Sequence, residues 1–197
     1  NNLLLKIAAD LRRKADFIIA GNKKDLAAAE QAGVSGALYD RLLLNRERID
    51  GMAVSIEEIA VLPDPVGRIE KMTMRPSGIR VGQMRIPLGV VAVIYEARPN
   101  VTTDIAALCI KSGNAAILRG GKEAISSNTA LHAVVRGVLA ESGCPESAVT
   151  FIGRTERELV PVLLRMKQYI DVVIPRGGES LIRTVTEEST IPVIKHD

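Results

Sequence analysis

From residue 89 onward the sequence alternates short apolar runs with stretches of helical period, and glycine or proline marks the junctions. That alternation predicts an α/β fold: a Rossmann-like open parallel sheet of about five strands, with right-handed crossovers and helices on both faces. The run GVVAVIY at 89–95 is a second support, because a strand apolar at nearly every position must be covered on both faces. The third is the helical spacing of apolar residues before position 62, which predicts an N-terminal helical segment packed on the sheet. The chain therefore divides into a helical segment (1–70), a hairpin or ribbon (71–87) and a sheet domain (88–197). With 197 residues there is room for one sizeable core plus an appendage.

Residues 1–20 place Leu4, Ile7, Ala8, Leu11 and Ala15 on one helical face, and Gly21-Asn22 reads as the stop. KKDLAAAEQA at 23–32 is helical by propensity and closed by Gly33. The pattern continues over 37–49 and 55–61, the latter opened by a Ser55/Glu58 capping box, and Pro63-Asp64-Pro65-Val66-Gly67 ends it in a turn. Residues 73–87 mix β-formers with turn residues and predict a hairpin or extended ribbon. Its edge suits a surface connection or pairing with another subunit.

The strand at 89–95 is broken by Arg98-Pro99-Asn100, since Pro99 lacks an N–H and biases Arg98 away from helix. A helix follows from about Val101, with Thr102 or Thr103 as cap and Asp104 against the positive end of its dipole. Val101, Ile105, Leu108 and Cys109 share one face, and Gly113 is a left-handed stop. NAAIL at 114–118 is the second strand, ended by Arg119-Gly120-Gly121-Lys122. Ser126 or Ser127 caps the next helix, which puts Leu131, Val134, Val135 and Val138 on one face and stops at Gly143. AVTFI at 148–152 is the third strand. Thr155 and Glu158 form a second capping box, and Pro161 predicts a kink or late start in that helix. IDVVI at 170–174 is the fourth strand, Pro175-Arg176-Gly177-Gly178 its turn, and a helix to about Ser189 leads to IPVI at 191–194 as the fifth.

Composition narrows the function. Net charge is +3, from 26 basic residues interleaved with 23 acidic ones, which favours anionic small molecules over nucleic acid. Two Phe, three Tyr and no Trp offer single strands little to stack on. No apolar run approaches the roughly 18 residues of a membrane span, and no basic-then-apolar leader opens the sequence, so the expectation is a cytoplasmic protein. Cys109 and Cys144, with two His, make neither a disulfide scaffold nor a metal pattern.

Chemistry in parallel sheets gathers at the carboxyl ends of strands, which directs attention to the turns. Arg119-Gly120-Gly121-Lys122 and Arg176-Gly177-Gly178 through Ser180 each join flexible backbone to a fixed positive charge. Glycine lets a phosphate approach backbone N–H groups at a helix start, although Gly-Gly also serves ordinary turns. No G-x-G-x-x-G follows the first strand. Asn100 carries an amide able to donate to an oxyanion, and Arg98 can pair with a carboxylate or phosphate. Cys109 falls on an apolar helix face, Cys144 has no base nearby in sequence, and His132 lies within a helix. The residues alone describe an anion-binding edge without an identifiable nucleophile, in either an enzyme or a non-catalytic nucleotide-binding module.

The stretches MRIPLGVVAVIYEARPNVTTDIAALCIKSGNAAILRGGKEA, IDVVIPRGGESL and IPVIKH, with NKKDL and DPVG before them, resemble the γ-glutamyl phosphate reductase family of the aldehyde dehydrogenase superfamily. The resemblance implies an aldehyde dehydrogenase-like cofactor domain and reduction of an acyl phosphate, L-glutamyl 5-phosphate, by NADPH to glutamate 5-semialdehyde in proline biosynthesis. It implies that Asn100 matches the oxyanion-stabilising asparagine. Arg119 to Lys122 then match the segment that holds the adenosine ribose, with Lys122 suited to the 2′-phosphate of NADP. Arg176, Gly177, Gly178 and Ser180 match the turn facing the pyrophosphate. Around Lys195-His196 the superfamily usually places a Glu that activates water, and its absence suits a reductase that must protect a thioester. The resemblance further implies a homo-oligomer contacting through the 71–87 ribbon, and glutamate 5-kinase as a channelling partner. It places the reactive cysteine in a second domain downstream, so this stretch alone is expected to be inactive. A CoA-acylating aldehyde dehydrogenase is the alternative within the superfamily.

Overall fold

A computed structural model describes residues 1–195, so the reading of His196 lies outside the described residues. The N-terminal layer is α1 (Asn2–Arg13), α2 (Ala15–Gln31), a short α3 (Ala37–Leu42) and α4 (Arg46–Val61). The ribbon is an antiparallel hairpin of β1 (Ile69–Met74) and β2 (Arg80–Met84), exposed along both strands apart from Glu70. Then come β3 (Val90–Tyr95), α5 (Asn100–Lys111), β4 (Ala115–Arg119), a 3₁₀ turn (Lys122–Ala124) and α6 (Ile125–Glu141). The chain continues through β5 (Val149–Phe151), α7 (Leu159–Leu163), β6 (Val172–Arg176) and α8 (Glu179–Glu188).

The four-stranded sheet has the order β5-β4-β3-β6, all parallel. Alternate residues of β3 serve two cores. Val91, Val93 and Tyr95 join the cluster that includes Leu131, Val135 and the N-terminal helices, whereas Ala92 and Ile94 face Leu163, Leu164, Val185 and Ile191. This two-sided burial is why the strand is apolar without alternation. The expected fifth strand is reduced to a single parallel bridge between Val173 and Val193. Pro192 has no N–H to donate, so the ladder does not extend.

Several helix assignments change, two of them because a partner distant in sequence outweighs a local signal. Gly21-Asn22 does not stop a helix; α2 runs through it and the break lies at Lys14 (φ −100°, ψ 20°). Gly21 is there for close approach, since a Cβ on it would lie 3.0 Å from the Ser126 carbonyl oxygen and 3.2 Å from the Ala130 Cβ. Asn22 is buried, donating to the Leu42 carbonyl (2.7 Å) and Ser127 Oγ (3.0 Å) and accepting from the Leu44 N–H (2.9 Å). Neither Ser126 nor Ser127 caps α6; the Asp25 carboxylate does, accepting from the Ser126 N–H (3.0 Å), the Ser127 N–H (2.7 Å) and the Ser127 hydroxyl (2.6 Å). Neither capping box forms. Ser55 sits inside α4, whose cap is Asn45 accepting from the Arg48 N–H (2.8 Å), and α7 starts only at Leu159 without a side-chain cap. Pro161 thus falls in a first turn, where its missing N–H costs nothing. On α5, Ala106 and Ala107 face inward in place of Leu108, which is exposed.

Asp25 is 4% exposed. Asp25→Ala removes an anionic acceptor from three buried or half-buried donors and should lower unfolding free energy by about 2–4 kcal/mol. Urea denaturation should show the midpoint falling with an unchanged slope.

Candidate functional site

Register fixes where the predicted turns meet. Ile94 pairs with Arg119 on one side and Pro175 on the other, and Tyr95 pairs with Arg176. The turns after β3, β4 and β6 therefore leave from one edge, as the sequence predicts for Asn100, Arg119 and Gly177. The chain runs outward from β3 through β4 to β5 and then returns to β3's other side as β6. The reversal between β3 and β6 opens a crevice at the strands' carboxyl ends, the usual ligand position in an open α/β sheet.

A cleft of about 770 Å³ occupies this edge, lined among others by Glu96, Arg119, Gly121, Lys122, Arg157 and Ser180. Arg119 donates to the Thr155 carbonyl (3.2 Å), while its buried Nε has no partner. Burial pulls the pKa of this guanidinium below its ordinary value; nearby Glu123 opposes the shift and Arg157 adds to it. Gly120 is buried against the Tyr95 ring and the Asn128 amide rather than facing the cleft, and no side chain would fit there. Beneath it a polar chain is sealed in. The Tyr95 hydroxyl bonds Thr102 Oγ1 (2.7 Å), Thr102 donates to Asn128 Oδ1 (2.9 Å), and burial raises the Tyr95 pKa. Gly178 is the N-cap of α8 and its N–H donates to Glu96 Oε2 (2.8 Å), at the positive end of that helix dipole.

Arg98 and Asn100 lie on the same edge but line a second cleft, of about 470 Å³, with Arg41, Arg48, Met52 and Asp104 from the helical layer and α5. Asn100 donates one amide hydrogen to Asp104 Oδ2 (3.0 Å), which leaves the other for a ligand. Burial raises the Asp104 pKa, against the Asn100 bond and the charge of Arg176. Glu96, Arg157 and Thr184 also line the larger cleft, and sequence reading does not single them out. Glu96 carries a signal in hindsight, as the first charged residue after a buried strand. Arg157 carries none, because only the fold brings it there.

The other candidates are structural. His132 Nε2 lies 2.9 Å from the Val149 carbonyl, and its ring packs near Phe151. Cys109 is buried toward the end of α5, and Cys144 precedes β5, so both lie toward the sheet's amino edge. Among the described residues, no group of three or more His, Cys, Asp or Glu could hold a metal ion, and no helix is long and apolar enough to cross a membrane.

Known proteins share this sequence and fold. The chain is 55% identical over 196 residues to γ-glutamyl phosphate reductase of Citrifermentans bemidjiense and 56% identical to that of Persephonella marina; both matches span the whole chain. They cover 47% and 44% of those relatives, so the chain spans about half their length. Crystal structures of γ-glutamyl phosphate reductases superpose with TM-scores of 0.94 (Thermotoga maritima, 42% identical, 97% of this chain and 46% of that one) and 0.90 (Saccharomyces cerevisiae, 36%, 99% and 50%). A probable aldehyde dehydrogenase of Listeria monocytogenes, 15% identical, has the same fold, with a TM-score of 0.73 over 98% of this chain and 39% of that one. No family model matches.

Burial pushes the Cys109 thiol up to about 11. At pH 8 a thiol reagent should label Cys144 in the native protein and reach Cys109 only on unfolding. Because the unfolded thiol ionises near 9 while the buried one stays protonated, stability should fall as pH rises from about 9 to about 11.

Proposed function

Because the chain is homologous end to end to γ-glutamyl phosphate reductases and shares the aldehyde dehydrogenase-like fold, we propose that the protein carrying it reduces L-glutamyl 5-phosphate with NADPH. The products are L-glutamate 5-semialdehyde, NADP⁺ and phosphate, a step of proline biosynthesis. The observation that carries this reading is that the turns after β4 and β6 leave from one edge, where Arg119, Gly121 and Lys122 line a switch-point cleft together with Ser180 of α8.

These residues fit a dinucleotide phosphate. Arg119 keeps a buried N–H without a partner, and at Gly177 and Gly178, at the start of α8, the backbone already holds an anionic group, the Glu96 carboxylate on the Gly178 N–H. On this reading Arg119, Gly121 and Lys122 hold the adenosine ribose, with Gly120 packed behind them against Tyr95 and Asn128, and the Lys122 ammonium neutralises the 2′-phosphate. Gly177, Gly178 and Ser180 receive the pyrophosphate, with Arg176 adding positive charge. NADPH, when bound, supplies a hydride. In the adjoining cleft Asn100 offers its free amide hydrogen to the oxygen that gains negative charge, and Arg98 pairs with an anionic group of the substrate.

Neither cysteine suits nucleophilic attack, since Cys109 is buried and protonated and Cys144 lies away from the clefts. The reading therefore takes the attacking thiolate from outside these residues and treats this stretch as the cofactor-binding half, inactive alone. The hairpin supports self-association, because Ile69, Met72, Ile79, Met84 and Ile86 are all exposed. A homo-oligomer in the cytoplasm, with glutamate 5-kinase as channelling partner, completes the proposal.

Two measurements on the whole enzyme test it. Lys122→Glu should weaken NADPH binding by tenfold or more and change NADH binding far less, on the order of one charge-assisted contact. Equal losses for both cofactors would remove the 2′-phosphate role. Asn100→Ala should lower kcat by roughly 10²–10³-fold with little change in NADPH affinity, as expected for loss of one oxyanion donor.

A further inference from the structure

Glu96 is the first residue after β3 and stands at the mouth of the switch-point crevice. Its backbone is held, with the N–H donating to the Arg176 carbonyl (3.2 Å). Its side chain lies back over the neighbouring turn. Glu96 Oε2 accepts from the Gly178 N–H at 2.8 Å, and a Cβ placed on Gly177 would lie 2.6 Å from Glu96 Cδ. The carboxylate thus covers the bare backbone at the start of α8, a helix of ten residues whose dipole favours an anion there. The other glycine corner is covered in the same way, since a Cβ on Gly121 would lie 2.5 Å from Glu123 Oε2. Gly121 and Gly177, one at each corner, thus each have one of the chain's own carboxylates against them.

We propose that Glu96 is an internal competitor for the dinucleotide's pyrophosphate. Its carboxylate holds the anion position on Gly178 and must swing out before a ligand phosphate can take that N–H. This rests on reading the Gly177–Ser180 turn as the pyrophosphate site. Two anions cannot share one donor at the helix start, so the bound carboxylate both blocks and repels an incoming phosphate. A weakly charged anion gains too little to displace it. A dinucleotide whose ribose and 2′-phosphate also engage Arg119 and Lys122 gains enough. Glu96 thereby keeps the turn ordered when the ligand is away and selects for ligands that reach both corners of the cleft.

The test is calorimetric titration of the full-length protein, comparing wild type with Glu96→Gln and Glu96→Ala. NADPH and inorganic pyrophosphate are used as separate probes. Both variants should bind both probes more tightly, by about tenfold for Glu96→Ala, the scale of one charge-assisted hydrogen bond that no longer has to be broken. The gain should be smaller for Glu96→Gln, whose amide oxygen can still accept from Gly178. Pyrophosphate bound equally or more weakly by both variants would overturn the proposal, because Glu96 would then be a brace for the turn. If the variants gain pyrophosphate affinity while no form binds NADPH, the competitor role stands and the cofactor reading falls. If all forms bind NADPH and neither variant gains for either probe, the cofactor reading stands and the competitor role falls.

Discussion

Burial of β3 on both faces is the constraint from which the rest of the architecture follows. A strand flanked by two partners and covered above and below has no sideways exit for a polar group, and its backbone is satisfied by parallel ladders to β4 and β6. Polar chemistry can leave the sheet only where the strands end. At the carboxyl end each strand passes into a turn and a helix, so glycine backbone, helix starts and arginines are concentrated there. The order β5-β4-β3-β6 puts the central strand's turn between those of its neighbours, and three turns far apart in sequence become one edge.

That edge is balanced in charge. Arg119, Lys122 and Arg157 face the larger cleft together with Glu96, Glu123 and Glu188, while Asp104 and Asn100 sit beside Arg41 and Arg98 in the smaller one. A surface of this kind suits a compact anion that meets particular donors and would hold an extended polyanion poorly, in keeping with a net charge of only +3. The two clefts also separate roles that a linear reading merges. Arg98 and Asn100 come soon after β3, yet they line the smaller cleft with residues of the helical layer and not the larger one with the Arg119–Lys122 turn.

What could be read from the sequence was whatever depends on near neighbours. The strands at 89–95, 114–118 and 170–174 are legible because apolar runs of that length have few other uses, and each is found within two residues of its predicted place. Gly113 is legible because its stop needs a positive φ, observed at 73°. Legibility ends where a distant partner decides. Gly21-Asn22 has the composition of a helix stop, but the proximity of α6 makes the glycine a spacer and the asparagine a buried linchpin. Ser126 and Ser127 have the composition of caps and are themselves capped by Asp25, a hundred positions earlier. The fifth strand is apolar enough to be one, and Pro192 deprives it of the donor that would lengthen its pairing. The candidate site was legible as a set of turns but not as two clefts, because Arg157 and the helical-layer residues arrive through the tertiary fold.

The grip of α2 on α6 has a consequence for how the molecule can be taken apart. The helix held by Asp25 begins immediately after the Lys122–Ala124 turn, so the first layer of helices anchors the very loop that borders the larger cleft. Pruning the protein to its bare sheet, as one would to obtain a minimal nucleotide binder, would strip that anchor and let the loop's far end fray. The N-terminal helices thus help to set the cleft's shape in a mechanical sense, and the smallest unit that keeps that shape includes them.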